Sequence, residues 1–260
     1  MKSILILGAS GFLGRFLIKN FNHKNVNLLS PTSKEVNLLN YSDLLNLNNA
    51  YDEIYYLAAW TEAGDFCLKN SGKQWIVNQA MNTNIIRWWT ENQKKAKLVF
   101  IGSSCGYGED SELKEKNFLF DVPHESLMAY AMSKKMLVHG AMSCNKQFDM
   151  KWICGIPATL YGPNYHTDNR QSHFIHDLVK KILRAKILNE EVILWGDGNQ
   201  RREIIHVNDF SKLLIDINEK FENEIVNAGA LSDYSIREFA EKICEIVDYD
   251  ANIIKYDKTK

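Results

Sequence analysis

Four apolar residues, Ile4-Leu5-Ile6-Leu7, run without a break into Gly8-Ala9-Ser10-Gly11-Phe12-Leu13-Gly14, and few folds accommodate that junction. A short apolar run that stops at glycine reads as a buried strand. A G-x-x-G-x-x-G pattern directly behind it, followed by a helix-length segment 12–21, reads as a turn that brings backbone N–H groups to a pyrophosphate. A Cβ in such a turn obstructs the phosphate, and the last glycine lets the helix lie close on the sheet. Gly8, Ser10, Gly11, Phe12, Leu13 and Gly14 are therefore candidate dinucleotide-binding positions. The opening run is far too short for a signal-peptide core or a membrane span.

The alternation continues along the chain. Residues 3–7, 26–29, 53–58, 97–102 and 151–156 read as strands, several of them almost wholly apolar, as a parallel sheet covered on both faces requires. Helix-length segments 12–21, 41–48, 73–95 and 128–147 lie between them, which implies an α/β chain with a doubly wound parallel sheet. After Ile156 the texture changes: Pro157 and Pro163 bracket a loop, 173–187 reads as a helix and 192–195 as a strand. A strand at 225–228, a helix at 235–247 and a strand at 251–255 follow. A net charge of -1 argues against nucleic-acid and anionic-membrane surfaces. The five cysteines form no C-x-x-C pair and read as reduced thiols of a cytoplasmic protein. No metal site is expected.

Cofactor choice turns on the end of the second strand, where an NAD enzyme usually carries an acid for the ribose hydroxyls. Leu29-Ser30-Pro31-Thr32-Ser33-Lys34 has none before Glu35, which leans toward NADP with NAD as the alternative.

Tyr130-Ala131-Met132-Ser133-Lys134 lies inside a helical segment, so Tyr130 and Lys134 share one face a turn apart. A phenol with an ordinary pKa of roughly 10 shuttles protons poorly at neutral pH, and a nearby ammonium is expected to lower it. The strand 97–102 ends in Ser103-Ser104-Cys105, at the sheet edge where α/β proteins gather reactive groups. A hydroxyl there holds a carbonyl oxygen while Tyr130 exchanges its proton. By strand alternation Ser103 and Cys105 face one cleft. A thiol there suits removal of an acidic proton beside a carbonyl, and a histidine such as His173 suits the return of one. The plain alternatives are a small buried Cys105 and a His173 that starts the helix near His166 and His176.

Taken together these motifs resemble the extended short-chain dehydrogenase/reductase superfamily, the NAD-dependent epimerase/dehydratase family, and within it the GDP-L-fucose synthases. Further carriers are Tyr56-Leu57-Ala58-Ala59, Asn78, Pro157-Ala158-Thr159-Leu160-Tyr161-Gly162-Pro163, Ser172-His173 and Trp195-Gly196-Asp197-Gly198 through Arg202-Glu203. The resemblance implies a Rossmann-type domain over 1–156, with 203–228 returning to it, and a smaller C-terminal substrate-binding lobe mainly over 157–260. It implies Ser103, Tyr130 and Lys134 as a catalytic triad, with Cys105 and His173 as the epimerising pair. Leu57, Ala58, Ala59, Asn78, Lys134, Pro157 and Leu160 would line the cofactor, and Trp195 and Arg202 would contact a nucleotide-linked sugar. A homodimer through the helices 73–95 and 128–147 is implied as well. Ala9-Ser10, Trp60 and the stretch 61–66 depart from the synthase pattern, so the sugar is open. The chain stops at Lys260, where relatives continue, implying either a longer natural protein or an open sugar site.

The expected function is reduction, epimerisation or both on a 4-keto-(6-deoxy) sugar nucleotide. A 4-epimerase or 4-dehydrogenase that keeps its NAD bound needs only the triad and leaves Cys105 and His173 idle. A dinucleotide-binding regulator needs none of these groups.

Overall fold

The computed structural model describes residues 1–22, 24–165 and 172–259. The strands β1 (Lys2–Leu7), β2 (Val26–Leu29), β3 (Glu53–Tyr56), β4 (Lys97–Ile101) and β5 (Trp152–Pro157) lie parallel in one sheet. The reason for their apolar runs is visible in the packing. Leu5 and Leu7 bury into one core with Ile54, Tyr56, Leu98 and Phe100, while Ile4 and Ile6 bury into another with Tyr55, Val99 and Ile153. The inner strands β1, β3, β4 and β5 feed both faces and have no solvent side to carry polar residues, whereas the edge strand β2 alternates with exposed Asn27 and Leu29. At roughly 1.5–3 kcal/mol per large side chain buried, these two layers dominate the stability of the sheet.

The helices α1 (Phe12–Phe21), α2 (Tyr41–Leu45), α3 (Phe66–Lys69), α4 (Ser71–Asn92), α5 (Glu115–Phe118) and α6 (Met128–Phe148) connect them. Two residues after β5 the chain enters β6 (Thr159–Tyr161), then α7 (Phe174–Leu188), β7 (Ile193–Trp195) and β8 (Arg201–His206). A helix absent from the sequence reading, α8 (Val207–Lys220), covers the second core through Phe210 and Leu214. It leads to β9 (Glu224–Ala228), the sixth strand, which completes the order β2-β1-β3-β4-β5-β9. The chain ends with β10 (Asp233–Ser235), α9 (Ile236–Val247) and β11 (Lys255–Asp257).

Two small sheets flank the large one, β10-β8-β6 and β11-β7. Strands of three residues are too short to announce themselves by alternation, so β6 and β10 escaped the sequence reading. The strand expected at 251–255 begins instead as a turn: the Asp250 carboxylate accepts the Asn252 N–H at 2.9 Å and coils Ala251–Ile253. The expected helix 41–48 stops at Leu45. Helix α9 begins where expected, because Ser235 and Glu238 cap each other's backbone N–H groups. Among the described residues no helix is long and apolar enough to cross a membrane.

Candidate active site

Gly8 sits at φ +93°, and a Cβ there would lie 2.7 Å from the backbone nitrogen of Ala58. A Cβ on Gly14 would lie 2.4 Å from the Gly8 carbonyl oxygen and 2.7 Å from the Ala9 Cα. Both neighbours are backbone and cannot swing aside. Two of the three glycines are therefore required by close approach, and Gly11 supplies the N-terminal residue of α1 with no side-chain cap. The first turn of α1 thus offers N–H donors and the positive end of the helix dipole at an exposed glycine turn, which fits a dinucleotide pyrophosphate. Ser10 and Gly11 are exposed there, whereas Leu13 turns into the core. Behind the cradle, Arg15 donates to the Asn164 carbonyl at 2.8 Å.

Beyond β2 the nearest acid is occupied. The Glu35 carboxylate accepts the Thr32 N–H at 2.7 Å and the Thr32 hydroxyl at 2.9 Å, bonds that hold it below the usual carboxylate range. Beyond β3, Leu57 and Ala58 are half-buried against the two cores, and Ala59 leads into Trp60. Asn78 is buried and its amide is committed: it accepts the Trp60 N–H at 2.8 Å and donates to the Trp60 carbonyl at 3.0 Å. Asn78 therefore acts on this loop by clamping it. The Trp60 ring packs edge-on against Phe66, and the Lys73 ammonium lies 5.1 Å from its centroid.

Helix α6 is riveted to the sheet beneath the reactive face. The Tyr56 hydroxyl donates to Asn82 at 2.9 Å, and the Asn82 amide donates to the Ser133 carbonyl at 3.0 Å. This fixes the helix turn that carries Tyr130 and Lys134, whose Nζ lies 5.7 Å from the Tyr130 ring centroid. The expected lowering of the phenol by Lys134 does not prevail here. Burial pushes Tyr130 up, and the nearby thiols Cys105 and Cys67 push it further. Burial also pulls Lys134 down to about 8. Desolvation sets the direction for both groups.

Ser103 and Cys105 are brought together, but not by strand alternation. Strand β4 ends at Ile101, and Ser104–Gly106 coils into a single 3₁₀ turn capped by the Ser103 hydroxyl, which accepts the Cys105 N–H at 3.3 Å. Burial pushes the half-buried Cys105 thiol up, and the Ser103 hydroxyl opposes that. Ser103, Cys105, Tyr130 and Lys134 thus form one group.

His173 belongs to another. It is the exposed residue at the start of α7, 6.1 Å from the Tyr165 ring. Tyr165 stacks on His176 at 4.0 Å and meets Phe12 edge-on at 5.0 Å, so these rings gather around the start of α1. His166 lies outside the described residues. Trp195 and Arg202 sit on different small sheets; Trp195 is 67% exposed beneath Lys181, and Arg202 donates to the Arg201 carbonyl at 2.8 Å.

A cleft of about 470 Å³ opens beside the strand-end turn, lined by Ser104, Tyr107, Leu113, Ile156, Pro157, Ala158, Glu203, Asn227 and the loop 228–233. Leu160, next to it in sequence, packs into the second core. Tyr107 and Asn227, 120 residues apart, meet through a 2.8 Å hydrogen bond. The sequence reading missed Tyr107, Asn227 and the 228–233 loop. The available signal was Asn227-Ala228-Gly229 at the end of an apolar strand, where α/β sheets place ligands.

The family model described as "NAD dependent epimerase/dehydratase family" matches residues 4–229. A GDP-L-colitose synthase of Yersinia pseudotuberculosis is 28% identical over 99% of this chain and 85% of its own length. GDP-L-fucose synthase 1 of Arabidopsis thaliana is 28% identical over 99% of this chain and 81% of its own. Among solved structures, a GDP-D-glycero-L-gluco-heptose synthase from Campylobacter jejuni, crystallised in the presence of NADPH, superposes with a TM-score of 0.88. It is 22% identical and the match covers 98% of this chain and 88% of that one, a likeness of fold. With its glycine cradle, strand-end hydroxyl and Tyr-x-x-x-Lys helix in place, the chain belongs to the NAD-dependent epimerase/dehydratase family.

Proposed function

We propose that the chain is an NADP-linked epimerase and reductase of a nucleotide-bound 4-keto-(6-deoxy) sugar, with GDP, which the names of the relatives given above carry, as the nucleotide. The observation that carries this is the joining of Ser103, Cys105, Tyr130 and Lys134 past the end of β4, in a chain that also carries the glycine cradle. The occupied Glu35 and the exposed Lys34 favour NADP over NAD. In this reading residues 1–156 and 203–228 hold the dinucleotide, and the remainder of 157–260 holds the sugar nucleotide.

Gly8 to Gly14, Leu57 to Ala59, Lys134, Pro157 and Leu160 would hold the cofactor, with Asn78 fixing the loop at Trp60. Bound NADPH supplies the hydrogen and electron pair for reduction at the ketone carbon. Ser103 holds the ketone oxygen, and Tyr130 gives that oxygen its phenolic proton. A phenol kept protonated by burial suits proton donation, which favours the reductive direction over an NAD-linked 4-dehydrogenase. Cys105 removes a proton beside the ketone; for His173 to return one from the other ring face, substrate binding would have to bring it in from its separate place at the start of α7. Trp195 and Arg202 bind the nucleotide end.

The thiol needs to ionise to act as a base. Because burial raises it, the epimerising step should speed up about tenfold per pH unit until the medium passes the raised pKa. Cys105→Ser tests this in D₂O: deuterium entry beside the ketone should fall by about 10²–10⁴-fold while ketone reduction by NADPH persists. Unchanged exchange would leave the thiol without a role, and a parent protein that takes up no deuterium beside the ketone would restore the simple 4-epimerase reading.

Ile76, Met136 and Met142 are exposed on α4 and α6, which supports pairing of two copies through those helices. Light scattering should give about twice the 30.0 kDa chain mass, and a monomer at micromolar concentration removes the dimer. The five free thiols fit a reducing cytoplasm.

A further inference from the structure

Glu203 stands on β8, opposite Asp233 of β10, and its carboxylate does not stay within that sheet. Oε1 accepts the Leu231 N–H at 2.9 Å. The same carboxylate lies against Gly229 so closely that a Cβ there would be 2.2 Å from Oε1. The link from the large sheet to the small one, 229–232, is thus wrapped around one side chain.

Leu231 is the unexpected member of that link. It has φ +62°, a conformation that L side chains rarely adopt, and it is 100% exposed. Neither its backbone preference nor burial of its side chain holds it there. The Glu203 bond does. Left-handed non-glycine residues persist where their surroundings over-determine them, and they cluster where a ligand is clamped. Leu231 and Gly229 line the cleft opposite Ser104 and Tyr107 of the strand-end turn.

We propose that Glu203 is a positioning residue that holds the 229–232 turn as one wall of the sugar-nucleotide cleft, acting through the Leu231 N–H. This rests on the reading of that cleft as the substrate's. Without the acceptor, Leu231 relaxes to an extended conformation and the wall moves, whereas Ser103 and Tyr130 are untouched.

The test compares Glu203→Ala and Glu203→Gln with the parent, using NADPH and GDP-4-keto-6-deoxymannose as the probe substrate. The alanine variant should raise KM for the sugar nucleotide about tenfold, with kcat and the KM for NADPH within twofold of the parent. The glutamine variant keeps an acceptor oxygen and should restore KM to within threefold. An unchanged KM in the alanine variant, or equal losses in both variants, overturns the proposal. If the alanine variant does not fold, the glutamine variant decides: a parental KM supports the proposal and a raised one overturns it. Amide hydrogen exchange over 229–232 reads the same bond without turnover. Exchange accelerated only in the alanine variant supports the proposal, and equal exchange in all three proteins overturns it. A parent protein with no turnover but with this exchange pattern removes the proposed reaction and leaves the Glu203 clasp standing.

Discussion

Tyr130→Phe is expected to leave a folded protein that binds NADPH and reduces a 4-keto sugar nucleotide about 10²–10⁴-fold more slowly, the usual worth of a positioned proton donor. The change deletes one oxygen from a ring that keeps its contact with Lys134. Helix α6 stays anchored, because the Tyr56–Asn82–Ser133 chain does not involve the Tyr130 hydroxyl. Tyr56 itself cannot substitute, since its proton is committed to Asn82 and burial holds its pKa high. The loss should therefore lie in kcat rather than in KM, as for an interaction made only in the transition state. A phenylalanine variant that retained more than about a tenth of the parental kcat would remove Tyr130 from the reaction.

Lys134→Met is expected to do two opposite things: abolish most activity and stabilise the fold. Burial lowers Lys134 from its ordinary 10.5 to about 8. Between those values the unfolded chain holds a proton that the folded chain has shed, so stability rises with pH through that window. Below about pH 8 the full cost of the buried charge is present, about 3 kcal/mol at roughly 1.4 kcal/mol per tenfold change in proton affinity. Methionine fills the same channel without a charge. At pH 7 the variant should melt about 5 °C or more above the parent, and the gap should close as pH rises past 10.5. The same neutralisation predicts a falling parental kcat above about pH 8, where Lys134 loses the charge that stands beside the Tyr130 ring. A variant that melts lower at pH 7 would show that the ammonium stabilises the fold, and the argument from its desolvation would fail. In the reading proposed above that expense serves the reaction, since local rules are broken chiefly where chemistry needs it.

How much of this was legible beforehand differs from residue to residue. The glycine cradle was, since Gly8 and Gly14 answer to backbone a few residues away or to the next strand, and the spacing of three encodes that. The pairing of Tyr130 with Lys134 was too, for it follows from helical pitch alone. Cys105 reached the predicted company by an unpredicted path: the Ser103 hydroxyl closed a 3₁₀ turn where extended backbone was expected. Asn78 was expected to line the cofactor, and its amide is spent on the Trp60 backbone. Nothing in the spacing pointed to Tyr107 meeting Asn227, or to Glu203 holding Leu231.

The division has a physical cause. Periodicity and turn chemistry act over a few residues, so the amino-acid order alone indicated the strands of the large sheet and most of its helices, though not α8, a glycine turn suited to a phosphate, and a phenol and an amine sharing a helix face. Burial and long-range pairing depend on what the rest of the chain brings alongside. Folding therefore decided the direction in which Tyr130, Lys134 and Cys105 shift, because desolvation is set by neighbours distant in sequence. It also decided the shape of the cleft, whose walls come from the turn after β4, from β5, β8 and β9 and from the link to β10, and meet only once the sheets are assembled.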